Sequence, residues 1–449
     1  MLIFVSFVRA ATSGFCNGIT ASFIMKNILL LGSGGRESAL AWKLSRSELC
    51  GNFFIAPGNA GTSEYGMNVP ISYNDFPAIK QHCITNKIDI VIPGPEEPLV
   101  AGIYDYFKND VDLKHIIVAG PSKAGAVLEG SKAFSKKFMK RHNIPTAGYF
   151  EVTAENFEQG IAYIKRSEPP YVLKADGLAA GKGVVIVSNP YEAIRVMRSM
   201  IKEAQFGTAG HTVVIEQFLS GIELSVFVLT DGKHYVVLPE AKDYKRIGVG
   251  DTGPNTGGMG SVSPVPFADM AFMDKVRAQI IEPTVTGLLE EQIVYKGFIF
   301  FGLINVGGEP FVIEYNCRLG DPETESVMPR LENDLVDLIL HMDAGTLDQV
   351  VMKTSPKAAA TVMMVSGGYP DTYEKGKVIT GIGDAPGSIL LHAGTVSRDG
   401  VVRTNGGRVL AVTSLGHDLK DALEKCYTNA ANVEYAGRYY RTDIGFEFV

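Results

Sequence analysis

The 449-residue sequence predicts an α/β and α+β protein of several domains, opening with a doubly wound parallel sheet and closing with a small α+β domain. Three observations carry this. The chain is about three times the roughly 150 residues of an ordinary domain. Before residue 122, apolar strand runs alternate with helical stretches and end in Gly/Pro loops, the pattern of parallel βα units. After about residue 352 the chain restarts with a fresh apolar strand. The expected division is 1–24 as an extension without fold and 25–124 as the first α/β domain. Residues 125–352 form a central region with an inserted subdomain at about 147–213, and 353–449 the closing domain.

Composition narrows the functional classes. Hydrophobic residues at 46% and charged residues at 20% are those of a folded, soluble chain. A net charge of -7 argues against a general nucleic-acid binder, which needs a basic face. Anionic ligands must then be held locally, by glycine-rich backbone and a few placed Lys and Arg. Cys16, Cys50, Cys83, Cys317 and Cys426 are scattered without CxxC spacing, so neither a disulfide framework nor a zinc site is expected, and a reducing compartment is. The apolar run within residues 1–24 is shorter than the about 20 residues of a membrane helix. Arg9 is the only charge there, too little for a transit peptide and misplaced for a secretory signal, so Met25 reads as the working start.

The elements follow in order. Ile28–Leu31 is a strand running into Gly32-Ser33-Gly34-Gly35-Arg36-Glu37, with a helix from Ser38 through Leu44. Strand, glycine turn and helix leave free N–H groups at the helix start, which suits a phosphate. A nicotinamide-dependent oxidoreductase is disfavoured. Glu37 stands where G-x-G-x-x-G needs its third glycine, and no acidic residue after the next strand, Phe53–Ala56, is placed for a ribose. That strand ends in Pro57-Gly58-Asn59-Ala60-Gly61. Ile88–Ile92 leads into Pro93-Gly94-Pro95-Glu96-Glu97, and Ile116–Ala119 into Gly120-Pro121. Ser131–Lys140 is a basic amphipathic helix, and most of its lysines read as a solvated face.

Tyr171–Val187 reads as strand, tight loop, strand. Lys174 lies in the leading run, Gly177, Gly181, Lys182 and Gly183 in the loop, and Val184–Val187 leads out. Small residues let backbone N–H groups and an ammonium approach a polyphosphate; the plain alternative is an ordinary glycine hairpin. A Walker loop is a different device, because it must open a helix. A helix about Tyr191–Ala204 and a strand Val213–Phe218 follow. Glu216 and Glu223 flank a bend, where one carboxylate suits ribose hydroxyls and the other a base edge. Residues 240–260, with Asp243, Lys245, Arg246, Asp251 and Asn255, read as a long functional loop without periodicity. Pro310–Arg318 is a strand whose alternation sets Glu314, Asn316 and Arg318 on one face. A carboxylate beside an amide oxygen suits Mg2+ bridging to substrate phosphates. The adjacent arginine suits a carboxylate or phosphate. In the closing domain, Ala358–Val365, Ile389–His392 and Arg408–Thr413 are strands and Asp418–Tyr427 a helix.

Taken together, GSGGRE (32–37), PGNAGT (57–62), GPEEPL (94–99), EGSKAF (129–134), KADGLAAGKGV (174–184), DTGPNTGGMG (251–260) and EYNCRLGDPETE (314–325) resemble the phosphoribosylamine–glycine ligase family of the ATP-grasp superfamily. The resemblance covers Met25 to Val449. Ser38 and Leu319 depart from it, standing where the family commonly has His and Phe. The resemblance implies that the central region is an ATP-grasp unit whose inserted hairpin subdomain is a lid. It implies ATP-dependent joining of glycine to 5-phosphoribosylamine through glycyl phosphate, in de novo purine synthesis. It assigns Lys132 and Lys174 to the α/β-phosphates, and Lys182, with the Gly177, Gly181 and Gly183 loop, to the γ-phosphate. Adenine and ribose go to Glu216 and Glu223, and Mg2+ or Mn2+ to Glu314 and Asn316. Glycine and the acyl phosphate go to Arg318 and the 251–260 loop with Asp251 and Asn255. The phosphoribosylamine goes to Gly34, Gly35, Arg36, Glu37, Asn59, Glu97 and Asp321. Catalytic roles fall on Arg318, Lys182 and Asp251. Cys317 is a small residue on the other face of its strand. A cytoplasmic monomer with small-molecule partners, no nucleic acid and no membrane is expected. Another ATP-grasp ligase and a silent nucleotide binder are the remaining alternatives.

Overall fold

The computed structural model describes residues 25–177, 183–203, 210–383 and 385–449. The extension 1–24, Gly181 and Lys182 lie outside the described residues.

The first unit is a parallel sheet. Strand β1 (Lys26–Gly32) is central, flanked by β2 (Cys50–Pro57) and β4 (Ile90–Pro93), with β3 (Met67–Asn68) and β5 (Ile117–Val118) at the edges, in the order β3-β2-β1-β4-β5. Leu29 to Leu31 are fully buried, as expected for a strand covered on both faces. The layers around it are α1 (Gly35–Leu44), α2 (Phe76–Asn86), α3 (Glu96–Ala101) and α4 (Ile103–Asn109). Helix α1 begins at Gly35, three residues before the expected Ser38, because the Glu37 carboxylate accepts the Gly34 N–H at 2.6 Å and caps the turn. Gly32 bends the chain at φ +127, where a side chain would be strained.

Strand β6 (Gly120–Pro121) and helices α5 (Lys123–Gly130) and α6 (Lys132–Arg141) lead into a separate four-stranded antiparallel sheet. Its order is β7 (Tyr149–Val152), β10 (Val213–Gln217), β8 (Tyr171–Ala175), β9 (Val184–Val187), packed on α7 (Phe157–Arg166) and α8 (Pro190–Lys202). Val152, Phe157, Leu173, Met197, Met200 and Ile215 give this unit its own core. Strand β8 pairs antiparallel with β9, as the strand–loop–strand reading requires.

The next sheet runs β12 (Tyr235–Val237), β11 (Ile222–Thr230), β17 (Tyr295–Val306), β18 (Glu309–Asn316), with β6 also pairing β17. The expected loop 240–260 is not structureless. It contains β13 (Lys242–Asp243), the two-stranded β14 (Arg246–Gly248) and β15 (Thr252–Asn255), and the start of β16 (Gly260–Ser263). These strands are too short and too glycine-rich to show alternation. A continuous helical stretch, α9 (Met270–Val276), a π turn at Arg277–Ile281 and α10 (Glu282–Glu290), packs behind β17 and β18; α11 (Glu323–Arg330) and α12 (Leu335–Ala344) follow. The last sheet joins β13 and β16 to β19 (Ala358–Val365), β23 (Arg408–Gly416) and β20 (Ser388–His392). The pair β21 (Thr395–Arg398) and β22 (Val401–Thr404) caps one end, and α13 (Leu419–Asn432) covers a face. No described helix is long and apolar enough to cross a membrane.

Candidate active site

The site is built around β18. Its register against β17 pairs Gly302 with Glu314 and Leu303 with Val312, so Ile313 is an extra, bulged residue. Glu314, Asn316 and Arg318 all line one cavity of about 430 Å3, as the alternation predicts. Neither the Glu314 carboxylate nor the Asn316 amide takes a hydrogen bond or salt bridge from another described residue, although both are half-buried. Two uncommitted oxygen donors side by side fit Mg2+, which keeps waters and substrate oxygens for its remaining positions. No group of three or more His, Cys, Asp or Glu among the described residues is placed to hold a metal ion by itself, so a metal here would depend on those additional ligands.

Across the cavity stand three lysines. Lys132, in the first turn of α6, donates to the Gly177 carbonyl at 3.2 Å, and burial pulls its pKa down while Glu314 opposes. Lys174, from β8, is 5% exposed and lies 3.0 Å from Glu216 Oε1. It also donates to the Ile313 carbonyl at 3.2 Å. Lys136 lies 3.0 Å from the other oxygen, Glu216 Oε2, and donates to Thr146 Oγ1 at 2.7 Å. Burial pushes the Lys136 pKa down to about 8. Burial also works against the Glu216 charge, but Lys174 and Lys136 outweigh it and hold the carboxyl below its ordinary range. Glu216 is therefore not a free carboxylate facing a base edge; it bridges two ammonium groups. Lys136 also corrects the solvated-face reading of its helix, being 2% exposed. Glu223 pairs with Lys245 at 2.5 Å near the cavity. Gly183 lines the wall.

Arg318 is fixed from two sides, by Glu129 at 3.0 Å and Glu96 at 3.4 Å. The other oxygen of Glu129 accepts the Cys317 N–H at 2.8 Å. The Cys317 thiol is buried and pushed up to about 12, which fits its plain role. Glu97, expected on the phosphoribosylamine side with the Gly34–Glu37 turn and Asn59, is exposed and lines neither cavity, whereas its neighbour Glu96 lines the large one. Consecutive helical residues point about 100° apart, so only one of the two can face inward. Arg36 pairs with Glu37 at 2.6 Å and donates to the Leu319 carbonyl at 3.2 Å.

A second cavity of about 300 Å3 opens where α1 meets the last sheet, with Gly34, Gly35, Asn59, Thr395 and Asn405 in its wall. Asp321 and Arg408, 3.0 Å apart, belong to both walls. The expected free N–H groups at the helix start are partly taken. Glu37 holds the Gly34 N–H, and Asp321 Oδ2 lies 3.4 Å from the Arg36 amide. The Asn59 amide is likewise committed to its own loop. Its nitrogen donates to the Ser33 carbonyl, Ser38 Oγ and the His392 carbonyl, and its oxygen accepts from Gly61 and Thr62. Ser38 donates to the His392 carbonyl and so ties α1 to β20.

Asp251 and Asn255 are corrected. Asp251 sits at φ +53 in the β14–β15 turn, 2.6 Å from Arg441, and lines neither cavity. Asn255 is exposed on β15 and also lines neither. Glu129, Lys136, Asp243, Lys245 and Arg408 line the large cavity without having been singled out as site residues.

Residues 26–129, 130–324 and 359–447 match, in order, the family models of the phosphoribosylglycinamide synthetase N domain, ATP-grasp (A) domain and C domain. The chain is 44% identical over 427 residues to the phosphoribosylamine–glycine ligase of Vibrio cholerae, covering 94% of this chain and 98% of that one. The enzyme of the same name from Pasteurella multocida is 45% identical with the same coverage. The crystal structure of phosphoribosylamine–glycine ligase from Thermotoga maritima superposes with a TM-score of 0.81 at 35% identity, covering 93% of this chain and all of that one. Three domain models in sequence, and relatives this similar along nearly the whole length, place the chain in the phosphoribosylglycinamide synthetase family.

Proposed function

We propose that the chain is a phosphoribosylamine–glycine ligase. It joins glycine to 5-phosphoribosylamine with conversion of ATP to ADP and phosphate, giving glycinamide ribonucleotide in de novo purine synthesis. The observation that carries this is the pair of cavities meeting at Asp321 and Arg408, the larger of which has Glu314 and Asn316 of β18 and the following Arg318 in one polar wall.

In this reading a glycine carboxylate oxygen attacks the γ-phosphorus of ATP and ADP leaves. The phosphoribosylamine nitrogen then attacks the acyl carbon of glycyl phosphate; phosphate leaves and the nitrogen gives up a proton. Such transfers ask for positioning and neutralisation of charge more than for a covalent residue. Lys132 and Lys174 hold the α/β-phosphates, Lys174 by exchanging Glu216 for the nucleotide while Lys136 keeps that carboxylate paired. Glu223 takes ribose hydroxyls. Gly177, Gly181, Lys182 and Gly183, in a lid subdomain of about 147–213, close over the γ-phosphate and exclude water from the acyl phosphate. Glu314 and Asn316 would hold Mg2+ or Mn2+, which supplies charge neutralisation at the phosphates when bound. Arg318 receives the glycine carboxylate. Gly34, Gly35, Arg36, Glu37 and Asp321 form the phosphoribosylamine side, with Asn59 shaping its wall. The chain works as a cytoplasmic monomer.

The test is ADP release from ATP and Mg2+, with glycine and fresh phosphoribosylamine present together and each omitted in turn. ADP formation that requires both is expected. Formation with a different acid or amine would move the substrate, and none under any combination would leave a silent binder.

A further inference from the structure

Glu325, on α11, has no exposed surface, and no side-chain N–H or O–H donor among the described residues reaches either of its oxygens; the donor nearest them is its own main-chain N–H, which makes no well-formed hydrogen bond. The side chain set against it is another carboxyl group, that of Asp321, whose Oδ1 is likewise buried without a well-formed hydrogen bond. Two carboxylates cannot bond to each other; the contact closes only when one carries a proton. Arg408 cannot neutralise both. Its Nη1 already faces Asp321 Oδ1 at 3.0 Å and donates to the Gly257 and Asp321 carbonyls. An ionised, unpaired Glu325 in this setting would be costly.

We propose that Glu325 is a buried, neutral carboxylic acid that donates its proton to Asp321 and so positions that carboxylate at the junction of the two cavities. The inference rests on the ligase reading for its consequence, since Asp321 then faces the amine substrate. The space admits nothing larger: a Cβ added at Gly35 would lie 2.3 Å from Glu325 Oε1. The surroundings select which carboxyl keeps the proton. Asp321 has Arg408 and, from α1, Arg36 and the Arg36 amide, and these outweigh its burial and hold it ionised. Burial first and Asp321 second raise Glu325 well above the ordinary carboxyl range. Of the other elements packed on α11, α1 adds Glu37, which caps its own helix, and β23 adds only Arg408 at this end. Strands β16 and β19 carry no titratable side chain. His392, at the end of β20 next to α1, is held well below its ordinary pKa by burial, at about 4, and adds no charge near neutrality. On α11 itself Glu323 bonds to Ser225 and Arg330 to Ser263 and the Ser355 and Lys357 carbonyls.

The test compares full-length wild type, Glu325→Gln and Glu325→Leu. Initial rates are measured against phosphoribosylamine at saturating ATP and glycine between about pH 6.5 and 9.5. The amide of Gln is a permanent donor. That variant should stay within about threefold of wild type near neutrality and lack the wild-type decline on the alkaline side. Leu removes the donor and should raise KM for the amine about tenfold, with kcat changed less. An infrared difference spectrum of wild type minus Glu325→Gln should show the carbonyl stretch of a protonated carboxyl at about pH 8, a readout that does not depend on turnover or on Glu325→Leu folding. A carboxylate band in its place, or an unchanged alkaline limb in Glu325→Gln, would overturn the proposal. A protonated band with no ADP formed from any substrate pair would keep the carboxyl pair and remove the ligase reading instead.

Discussion

The two cavities are built on opposite plans. In the larger one, Arg318 is held by Glu96 and Glu129, but the groups facing it wait for partners. Glu314 and Asn316 are uncommitted, Lys132 holds only a carbonyl, and two lysines share one glutamate. In the smaller one, the polar groups already hold each other: Glu37 on Gly34, Asp321 on Arg36 and Arg408, Asn59 on its own loop. The difference teaches where rearrangement belongs. A site for a polyphosphate and its metal must trade internal ion pairs for ligand contacts. A site that orients one amine works best when its shape is already held.

Substitutions test this contrast, and the largest effect is expected at the uncommitted Glu314 and Asn316. Glu314→Gln removes the one anionic ligand. Turnover should fall about a thousandfold, with the Mg2+ requirement shifted sharply upward in a metal titration; an unshifted titration would remove Glu314 from the metal site. Lys174→Met should lower kcat/KM for ATP about a hundredfold while the fold survives, as read by its thermal transition. A folded variant with unchanged kinetics would remove Lys174 from the nucleotide site. Lys136→Met should cost about tenfold in kcat/KM for ATP, because Glu216 would then keep Lys174 to itself. The pH dependence has a definite sign. Burial depresses the Lys136 pKa to about 8, so the ammonium is present below that pH and lost above it. The wild-type KM for ATP should therefore rise as pH passes about 8, and the Lys136→Met profile should lack that inflection. The smallest effect belongs outside both cavities. Asp251→Asn weakens one of the two pairs of the buried Arg441, which keeps Asp443, and should change kcat less than about twofold while lowering the thermal transition modestly.

The larger cavity was legible where its residues are local. Glu314 and Asn316 are two apart on β18 and Arg318 lies two beyond its end, so extending the strand alternation puts all three on one side. Lys174 was legible as a lysine inside an apolar strand run, and its phosphate role through the family resemblance. Lys136 was not, since it stands in a run of lysines and only its packing against Glu216 singles it out. The smaller cavity was barely legible, because its contacts join residues 285 apart, as between Arg36 and Asp321, or 87 apart, as between Arg408 and Asp321. The misplacement of Asp251 has the same origin. Its partner Arg441 lies 190 residues further on, and the two-to-four-residue strands of the 240–260 segment offer no period to read.

The central claim is that glycine is activated in the larger cavity as an acyl phosphate and captured from the smaller one. Glycine labelled with oxygen-18 in its carboxylate tests it most directly, through the isotopic composition of the phosphate released in the complete reaction. Phosphate carrying one labelled oxygen for each glycinamide ribonucleotide formed is the expected result. Unlabelled phosphate alongside product would contradict it.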